Sequence, residues 1–285
     1  MRDPLFGAFA RIWSRAQPSE VADAMAAGGA ATAQWNFSAI GQPSVSADLQ
    51  PELYSQVRTA FDHAGVGLWG LSCSHNLTHP EADRRRVDRR AAQTMISRAP
   101  ILGVEAVTIC AGSRDSDGWT WHPENGTESA WKEMRDELDT LLEAAAGAGM
   151  TIAVEPEPGC IVSDIAHACR LLLEVGEDSP LGFVLDPSNL LADRPSEAWD
   201  SVLDDAFSRL GHRCLALHAK DPLGRVFPDR VIDYRKIAAW HARFTPGAPV
   251  IVQDVDERAF SAVLELLGRA WADRPAVATR RPQSR

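Results

Sequence analysis

Four side chains that can bind a metal ion stand at matching places in the sequence, each at the end of a short apolar run. Glu155 ends Thr-Ile-Ala-Val-Glu, Asp186 ends Gly-Phe-Val-Leu-Asp, and His218 ends Cys-Leu-Ala-Leu-His. Gln253 ends Val-Ile-Val-Gln in the same way. Two carboxylates, an imidazole and an amide oxygen are mostly hard ligands, which suit Mn²⁺ or Mg²⁺, with Co²⁺, Fe²⁺ or Zn²⁺ as alternatives. These residues predict a site for one divalent metal ion, because polar groups buried together without a counter-ion are costly.

The elements that must position these residues follow from the hydrophobic pattern, in which β-rich runs alternate with amphipathic stretches. The predicted strands are residues 7–13, 32–37, 67–72, 106–111, 151–155, 182–186, 214–218 and 250–253. The predicted helices are residues 18–27, 51–64, 84–102, 128–149, 165–175, 197–210, 234–244 and 257–271. Regular alternation indicates a parallel sheet covered by helices, and the chain length fits a closed (β/α)8 TIM barrel. An open doubly wound sheet is the alternative, but no Gly-x-Gly-x-x-Gly turn follows the first strand.

The predicted barrel would bring the four polar residues together. Barrel enzymes build their active sites at the C-terminal ends of the strands, which is where these residues lie. The residues two positions before them share their face of the strand and are all apolar: Ala153, Val184, Ala216 and Ile251. Apolar side chains are expected at inward positions of a barrel, so the four polar groups should converge at its mouth.

Composition narrows the class of protein. The 285 residues are 45% hydrophobic, enough for one large core, so we expect a single barrel domain over residues 1–272 and a disordered tail over residues 273–285. The formal net charge of −10 argues against a nucleic-acid or membrane-surface binder, and no apolar window is long enough to span a membrane. The five cysteines have no Cys-x-x-Cys spacing, which indicates free thiols and a cytoplasmic protein.

Three stretches resemble the sugar phosphate isomerase/epimerase superfamily of xylose isomerase-like TIM barrels. They are Val-Glu-Pro-Glu-Pro-Gly, Leu-Asp-Pro-Ser-Asn-Leu and Leu-His-Ala-Lys-Asp, in the order and at the spacing of that family. The resemblance covers nearly the whole barrel. It implies a metal-dependent enzyme for a small carbohydrate, with the metal held by Glu155, Asp186, His218 and position 253. It also implies a homo-oligomer, since dimers and tetramers are common in the family.

Two positions depart from the family pattern. Gln253 replaces the acid of strand eight, and an amide is a poor general base, so the second base of a two-base epimerisation is missing. Asp254 is the alternative, although it should point to the opposite side of an unbroken strand. Asn189 stands where related barrels that cut DNA at abasic sites carry a histidine, so we do not expect a nuclease. Asn189 is expected to hydrogen-bond Asp186 or the substrate, or to stabilise the turn.

One base is enough for aldose–ketose isomerisation through an enediolate, or for β-elimination of water from a keto-sugar. We therefore predict a metal-dependent isomerase or epimerase, with a dehydratase or a non-catalytic sugar- or metal-binding barrel as alternatives. Glu155 is the candidate base, and Glu157 is either a free carboxylate beside the metal or an exposed rim residue or helix cap. Lys220 is expected to hold a substrate oxyanion or a phosphate, with a solvated lysine as the alternative, and Asp221 is expected to orient His218.

Loops on the same side of the barrel are expected to contact the substrate. The candidates are Trp35, His75, Asn76, Trp121 and His122, together with Asn189 and Lys220. Indole rings stack on the C–H faces of sugars, and Trp119 belongs to the same loop as Trp121. Trp35 has packing in the barrel core as its alternative role. No glycine-rich phosphate cradle is apparent, which favours an unphosphorylated substrate.

Overall fold

Short parallel strands form the centre of the molecule. The computed structural model describes residues 4–220 and 232–275. Within them the strands are β1 (Phe6–Phe9), β2 (Thr32–Trp35), β3 (Gly67–Ser72), β4 (Ala106–Cys110), β5 (Thr151–Glu155), β6 (Leu181–Leu185), β7 (Cys214–Ala219) and β8 (Val250–Val252). Each strand pairs with the next, and β8 pairs with β1, where Ile251 lies opposite Gly7, so the sheet closes. This confirms the predicted (β/α)8 barrel.

Helices surround the barrel. In the described part of the chain they are α1 (Pro18–Ala27), α2 (Pro51–Ala64), α3 (Ala82–Leu102), α4 (Glu128–Ala148), α5 (Ile165–Val175), α6 (Pro187–Leu191), α7 (Trp199–Leu210), α8 (Tyr234–Phe244) and α9 (Phe260–Ala272). Local signals set their ends: Thr127 Oγ1 accepts the N–H of Ala130 where α4 begins, and Gly149 ends it with a φ of 65°. No helix within the described ranges has the length and apolar character needed to cross a membrane.

The differences from the predicted elements have local causes. β1 ends at Phe9 instead of residue 13, because Ala10–Ile12 turn into a 3-10 helix. The helices expected from residues 197 and 257 each open with a 3-10 turn before the α-helix begins. α6 was not predicted, since its five residues are too few to show a periodic pattern.

The barrel interior is filled by a small apolar cluster. Its members are Phe9, Trp69, Ala106, Ala153, Val184, Ala216 and Ile251. The four inward positions predicted from sequence are among them and are completely buried. A larger apolar cluster fills the space between the strands and the helices. The interior packing therefore ends just below the strand ends, and polar side chains occupy the mouth of the barrel.

Candidate metal centre

The four predicted metal ligands lie together at the C-terminal end of the barrel. Glu155 ends β5, Asp186 follows β6, His218 lies near the end of β7 and Gln253 follows β8. Glu155, Asp186 and His218 each offer a ligand atom, and these atoms lie within 4.8 Å of one another. All four side chains are buried, Asp186 completely. Closure of the barrel thus gathers ligand atoms from distant parts of the sequence.

The ring of His218 is oriented by Gln34 on β2. His218 Nε2 lies 2.7 Å from Gln34 Oε1, and Gln34 Nε2 donates to Thr108 Oγ1 over 3.0 Å. Because the amide oxygen is an acceptor, Nε2 carries a proton, and in the neutral ring Nδ1 turns a lone pair towards the cluster. There it lies 3.1 Å from Glu155 Oε2. Two lone pairs at this distance repel each other, and a cation between them, a proton or a metal ion, removes the repulsion. The residues therefore fit a metal ion.

Gln253 lies between two of these ligands. Its Nε2 is 3.3 Å from Asp186 Oδ2 and 3.1 Å from His218 Nδ1. A half-turn of the amide exchanges its nitrogen and oxygen, so the same side chain can offer Oε1 to a cation. Asp254 is exposed at the rim and has a φ of 55°. Gln253, and not Asp254, is the strand-eight side chain inside the cluster.

Lys220 and Asn189 complete the hydrogen bonds around the carboxylates. Lys220 Nζ is 3.2 Å from Asp186 Oδ2 and 3.8 Å from Glu155 Oε1, and it donates to Asn189 Oδ1 over 3.1 Å. Asn189 Nδ2 donates to Glu155 Oε1 over 2.8 Å, so its carboxylate partner is Glu155 instead of the predicted Asp186. One ammonium group offsets only one of the two carboxylates, and the remaining negative charge favours a cation.

Burial and nearby charge move the pKa values of the two glutamates in opposite directions. Burial raises the pKa of Glu155, but His218 and Lys220 beside it bring this pKa below its ordinary value. Burial, followed by the charge of Glu155, raises the pKa of Glu157. Burial lowers the pKa of Lys220, but the negative charges of Asp186, Glu155 and Glu157 together outweigh it and raise this pKa overall. Glu155 is therefore ionised, Glu157 holds a proton more readily, and Lys220 is an ammonium ion.

A cavity of about 460 Å³ opens above the cluster. The predicted site residues that line it are Glu155, Glu157, Lys220, His218 and Gln253. Sequence analysis did not identify the lining residues Arg11, Gln34, Asn36, Ser72, Thr108 and Cys110. Gln34 and Thr108 could have been found from the sequence, because each is a polar residue at an inward position of a buried strand.

Trp35 does not line this cavity. It has no exposed surface, and its ring centroid lies 5.8 Å from that of Phe37 and 5.5 Å from that of Phe61. Neighbouring side chains of a strand point to opposite faces, and Gln34 takes the inward direction. Trp35 therefore packs between strand and helices, so its predicted substrate contact is wrong and the core alternative is correct.

The other predicted loop contacts also lie away from the metal centre. Trp121 is 48% exposed and His122 Nδ1 accepts the backbone N–H of Glu124, and neither residue lines the cavity. His75 and Asn76 line a neighbouring cavity instead. The Trp of this loop that does reach the metal-centre cavity is Trp119. Asp221, predicted to orient His218, lies outside the described residues.

Fold and site together define a closed (β/α)8 barrel with metal-ligand side chains at its strand ends. A family model described as xylose isomerase-like TIM barrel matches residues 25–265. The chain therefore belongs to the xylose isomerase-like TIM barrel family. A comparison with the curated proteins finds no match.

Solved structures of several epimerases have a similar fold. The 3-keto-D-glucoside 4-epimerase from E. coli is 14% identical, with a TM-score of 0.72 over 94% of this chain and 100% of that chain. An L-ribulose 3-epimerase is 11% identical, with a TM-score of 0.73 over 95% of this chain and 95% of that chain. The D-psicose 3-epimerase from Clostridium cellulolyticum is 15% identical, with a TM-score of 0.68 over 93% of this chain and 99% of that chain. At these identities the similarity establishes the fold, and the activity has to be argued from the site.

Proposed function

We propose that the protein is a metal-dependent isomerase or epimerase that acts on a small sugar or keto-sugar by proton transfer through an enediolate. The observation that carries this proposal is the convergence of Glu155, Asp186 and His218, whose ligand atoms lie within 4.8 Å of one another beneath an open cavity. The fold is shared with epimerases named for ribulose, psicose and a keto-glucoside, which supports a carbohydrate substrate.

The metal ion would be held by the carboxylates of Glu155 and Asp186, Nδ1 of His218 and the amide oxygen of Gln253. This mostly oxygen ligand set favours Mn²⁺ or Mg²⁺. A bound divalent ion would polarise the substrate carbonyl and make the neighbouring C–H group more acidic.

Three side chains at the mouth can handle protons and charge. Glu155 is the proposed base, because it is ionised and its carboxylate is fixed by the hydrogen bond from Asn189. Lys220 is placed to stabilise negative charge on a substrate oxygen. Glu157 lines the same cavity and can hold a proton that is returned to the substrate.

The neutral Gln253 limits the choice of reaction. A two-base epimerisation needs a base on each face of the reacting carbon, whereas Glu155 and Glu157 both come from the end of β5. Asp254 after β8 also lines this cavity, but it is exposed at the rim and outside the ligand cluster. Proton transfer on one face is therefore favoured, which suits aldose–ketose isomerisation. β-Elimination of water from a keto-sugar is the second candidate, because it needs one base and one proton donor, which these two glutamates supply.

A cytoplasmic location is part of the proposal. All five cysteines lie among the described residues and are free thiols, as the sequence predicted. Free thiols are typical of a reducing compartment. The division into a barrel over residues 1–272 and a tail stays a prediction, since residues 276–285 lie outside the described ranges.

The first test is the metal content of protein purified without chelators or immobilised metal. We expect about one divalent ion per chain in the wild type, and loss of most of it in His218→Ala and Gln253→Ala, because each removes a ligand. His63→Ala is the matched control, since His63 is exposed on α2. No metal in the wild type, even after Mn²⁺ is added, would overturn the proposal.

The second test is exchange of carbon-bound protons with deuterated water, measured by mass spectrometry on D-fructose and D-tagatose. We expect deuterium beside the carbonyl carbon with the metal-loaded wild type, and at least a roughly 100-fold lower rate for Glu155→Gln. An isomeric product identifies an isomerase, whereas a product that has lost water identifies the elimination. Full metal content without exchange on any ketose would instead favour a non-catalytic binding barrel.

A further inference from the structure

A second cavity, of about 400 Å³, lies directly beside the cavity of the metal centre. The two share the lining residues Ser44, Ser74 and Trp119. The remaining wall comes mainly from the loops that follow β3 and β4, and includes His75, His79 and Asp117. A molecule bound at the metal centre can therefore extend into this second cavity past Trp119.

Asn76 fixes the two loops to each other. Its Oδ1 accepts the N–H groups of Thr78 and Ser113 over 3.1 and 2.9 Å, and its Nδ2 donates to the carbonyl of Asp115 over 2.9 Å. A Cβ atom at Gly112 would lie 2.3 Å from Asn76 Oδ1, so the contact also depends on a glycine. The cavity is thus formed before any ligand arrives, which lowers the cost of binding.

Trp119 is held in place from two sides. Asp117 Oδ1 accepts the N–H of Trp119 over 2.7 Å, and the carbonyl of Trp119 packs so closely on Gly159 that a Cβ there would lie 1.5 Å away. The indole side chain nevertheless stays 48% exposed. An exposed indole on a fixed backbone between two cavities is suited to stacking on a sugar ring.

Two histidines give this cavity a hydrogen-bond donor and an acceptor. His75 Nδ1 lies 2.9 Å from the carbonyl of Cys73 and so carries the ring proton, which leaves Nε2 as an acceptor. Burial lowers the pKa of His75, which keeps its ring neutral. His79 Nδ1 accepts the N–H of Glu81 over 3.1 Å, so the ring proton is on Nε2, which is a donor. A sugar hydroxyl can satisfy both kinds of group.

The charges in the second cavity do not favour an anion. Arg84 Nε donates to Asp88 Oδ2 over 2.7 Å, which offsets its charge. Asp117 adds a negative charge, and hydrogen bonds from Thr120 and Trp119 lower the pKa of Asp117. An uncharged group therefore fits better here than a phosphate.

We propose that the two cavities are adjacent subsites for a disaccharide or glycoside, with its ketose unit at the metal centre and an uncharged second sugar stacked on Trp119 between His75 and His79. This deepens the proposed function and rests on it for the position of the ketose unit. The second subsite is supported independently of the metal centre by the cavity itself, the exposed Trp119 and the two histidines.

The test compares D-fructose, maltulose and D-fructose 6-phosphate as substrates for deuterium exchange and as ligands in calorimetry. Maltulose is a glucosyl-fructose whose ketose unit is free, so it can fill both subsites. We expect kcat/KM and affinity about tenfold higher for maltulose than for D-fructose, a preference that stacking and one hydroxyl contact can supply. His79→Asn keeps an acceptor near the N–H of Glu81 but removes Nε2. In this variant the ratio of kcat/KM for maltulose to kcat/KM for D-fructose should fall to about one.

Matched variants separate the subsite from general damage. Trp119→Ala should lose the maltulose preference, whereas Trp121→Ala, equally exposed in the same loop, should retain it. His63→Asn is the control for His79→Asn. Equal values for D-fructose and maltulose, or a preference for the phosphate, would overturn the inference and leave the proposed function intact. If no sugar exchanges protons, calorimetry decides: tighter maltulose binding that is lost in His79→Asn upholds the subsite although the proposed reaction has failed.

Discussion

At the residue scale, the metal centre depends on how one imidazole is turned. A histidine binds a metal through one nitrogen only, and the partner of the other nitrogen selects which one is free. Gln34 Oε1 provides that partner for His218 at 2.7 Å, and Thr108 holds the Gln34 amide in turn. Three strands, β2, β4 and β7, thus cooperate to aim a single ligand atom at Glu155.

Substitution of Gln34 tests this arrangement. Gln34→Leu has nearly the same volume but cannot accept the proton of His218 Nε2, so we expect Mn²⁺ affinity to fall about 10- to 100-fold. Calorimetric titration with Mn²⁺ measures the change, and Gln42→Leu, at an exposed position, is the control. Unchanged affinity in Gln34→Leu would show that the tautomer of His218 is set by something else.

At the element scale, loops shape the second cavity more than strands do. The loop after β4 lies against the loop after β5, where Gly159 meets the carbonyl of Trp119. Any side chain at this glycine must push the two loops apart. The shape of the second cavity therefore depends on a contact between two backbone segments.

Two glycine substitutions should have opposite effects. Gly159→Ala places a Cβ 1.5 Å from a backbone oxygen, and such overpacking should lower the free energy of unfolding by about 1–3 kcal/mol. Gly147→Ala, in α4 with open space around its Cβ, should raise it by about 0.5–1 kcal/mol. Urea unfolding of both variants measures the difference. An unchanged free energy of unfolding in Gly159→Ala would mean that the two loops can move apart without loss of stability.

At the scale of the whole molecule, the candidate ligands at the ends of β5, β6 and β7 would connect the proposed metal ion to folding. The unfolded chain does not hold these side chains together, so an ion binds the folded state preferentially. The net stabilisation grows with the ratio of free ion to dissociation constant.

Removal of the metal should accordingly lower the melting temperature. At a Mn²⁺ concentration 100 times the dissociation constant we expect about 2.7 kcal/mol of stabilisation, or roughly 4–5 °C for a chain of this size. Calorimetric melting in Mn²⁺ and in EDTA measures it. Asp186→Asn should lose most of the shift, whereas Asp178→Asn, exposed after α5, should keep it. The same shift in both variants would mean that Mn²⁺ stabilises the protein elsewhere.

The sequence by itself determined the barrel and the residues that converge at its mouth. Strands alternate with helices, and inward residues alternate with outward ones within a strand. Both alternations are local, so the order of apolar and polar residues in the sequence indicates them directly. Glu155, Asp186, His218 and Gln253 could be found because each ends such a strand.

Only the tertiary structure decided which other side chains surround those four. Gln34 and His218 are separated by 184 positions, so no local pattern could pair them. Likewise Trp35, the last residue of β2, packs in the core, while Trp119, in the loop after β4, lines the cavity. The direction of a loop side chain depends on packing between distant segments, and that packing exists only in the closed fold.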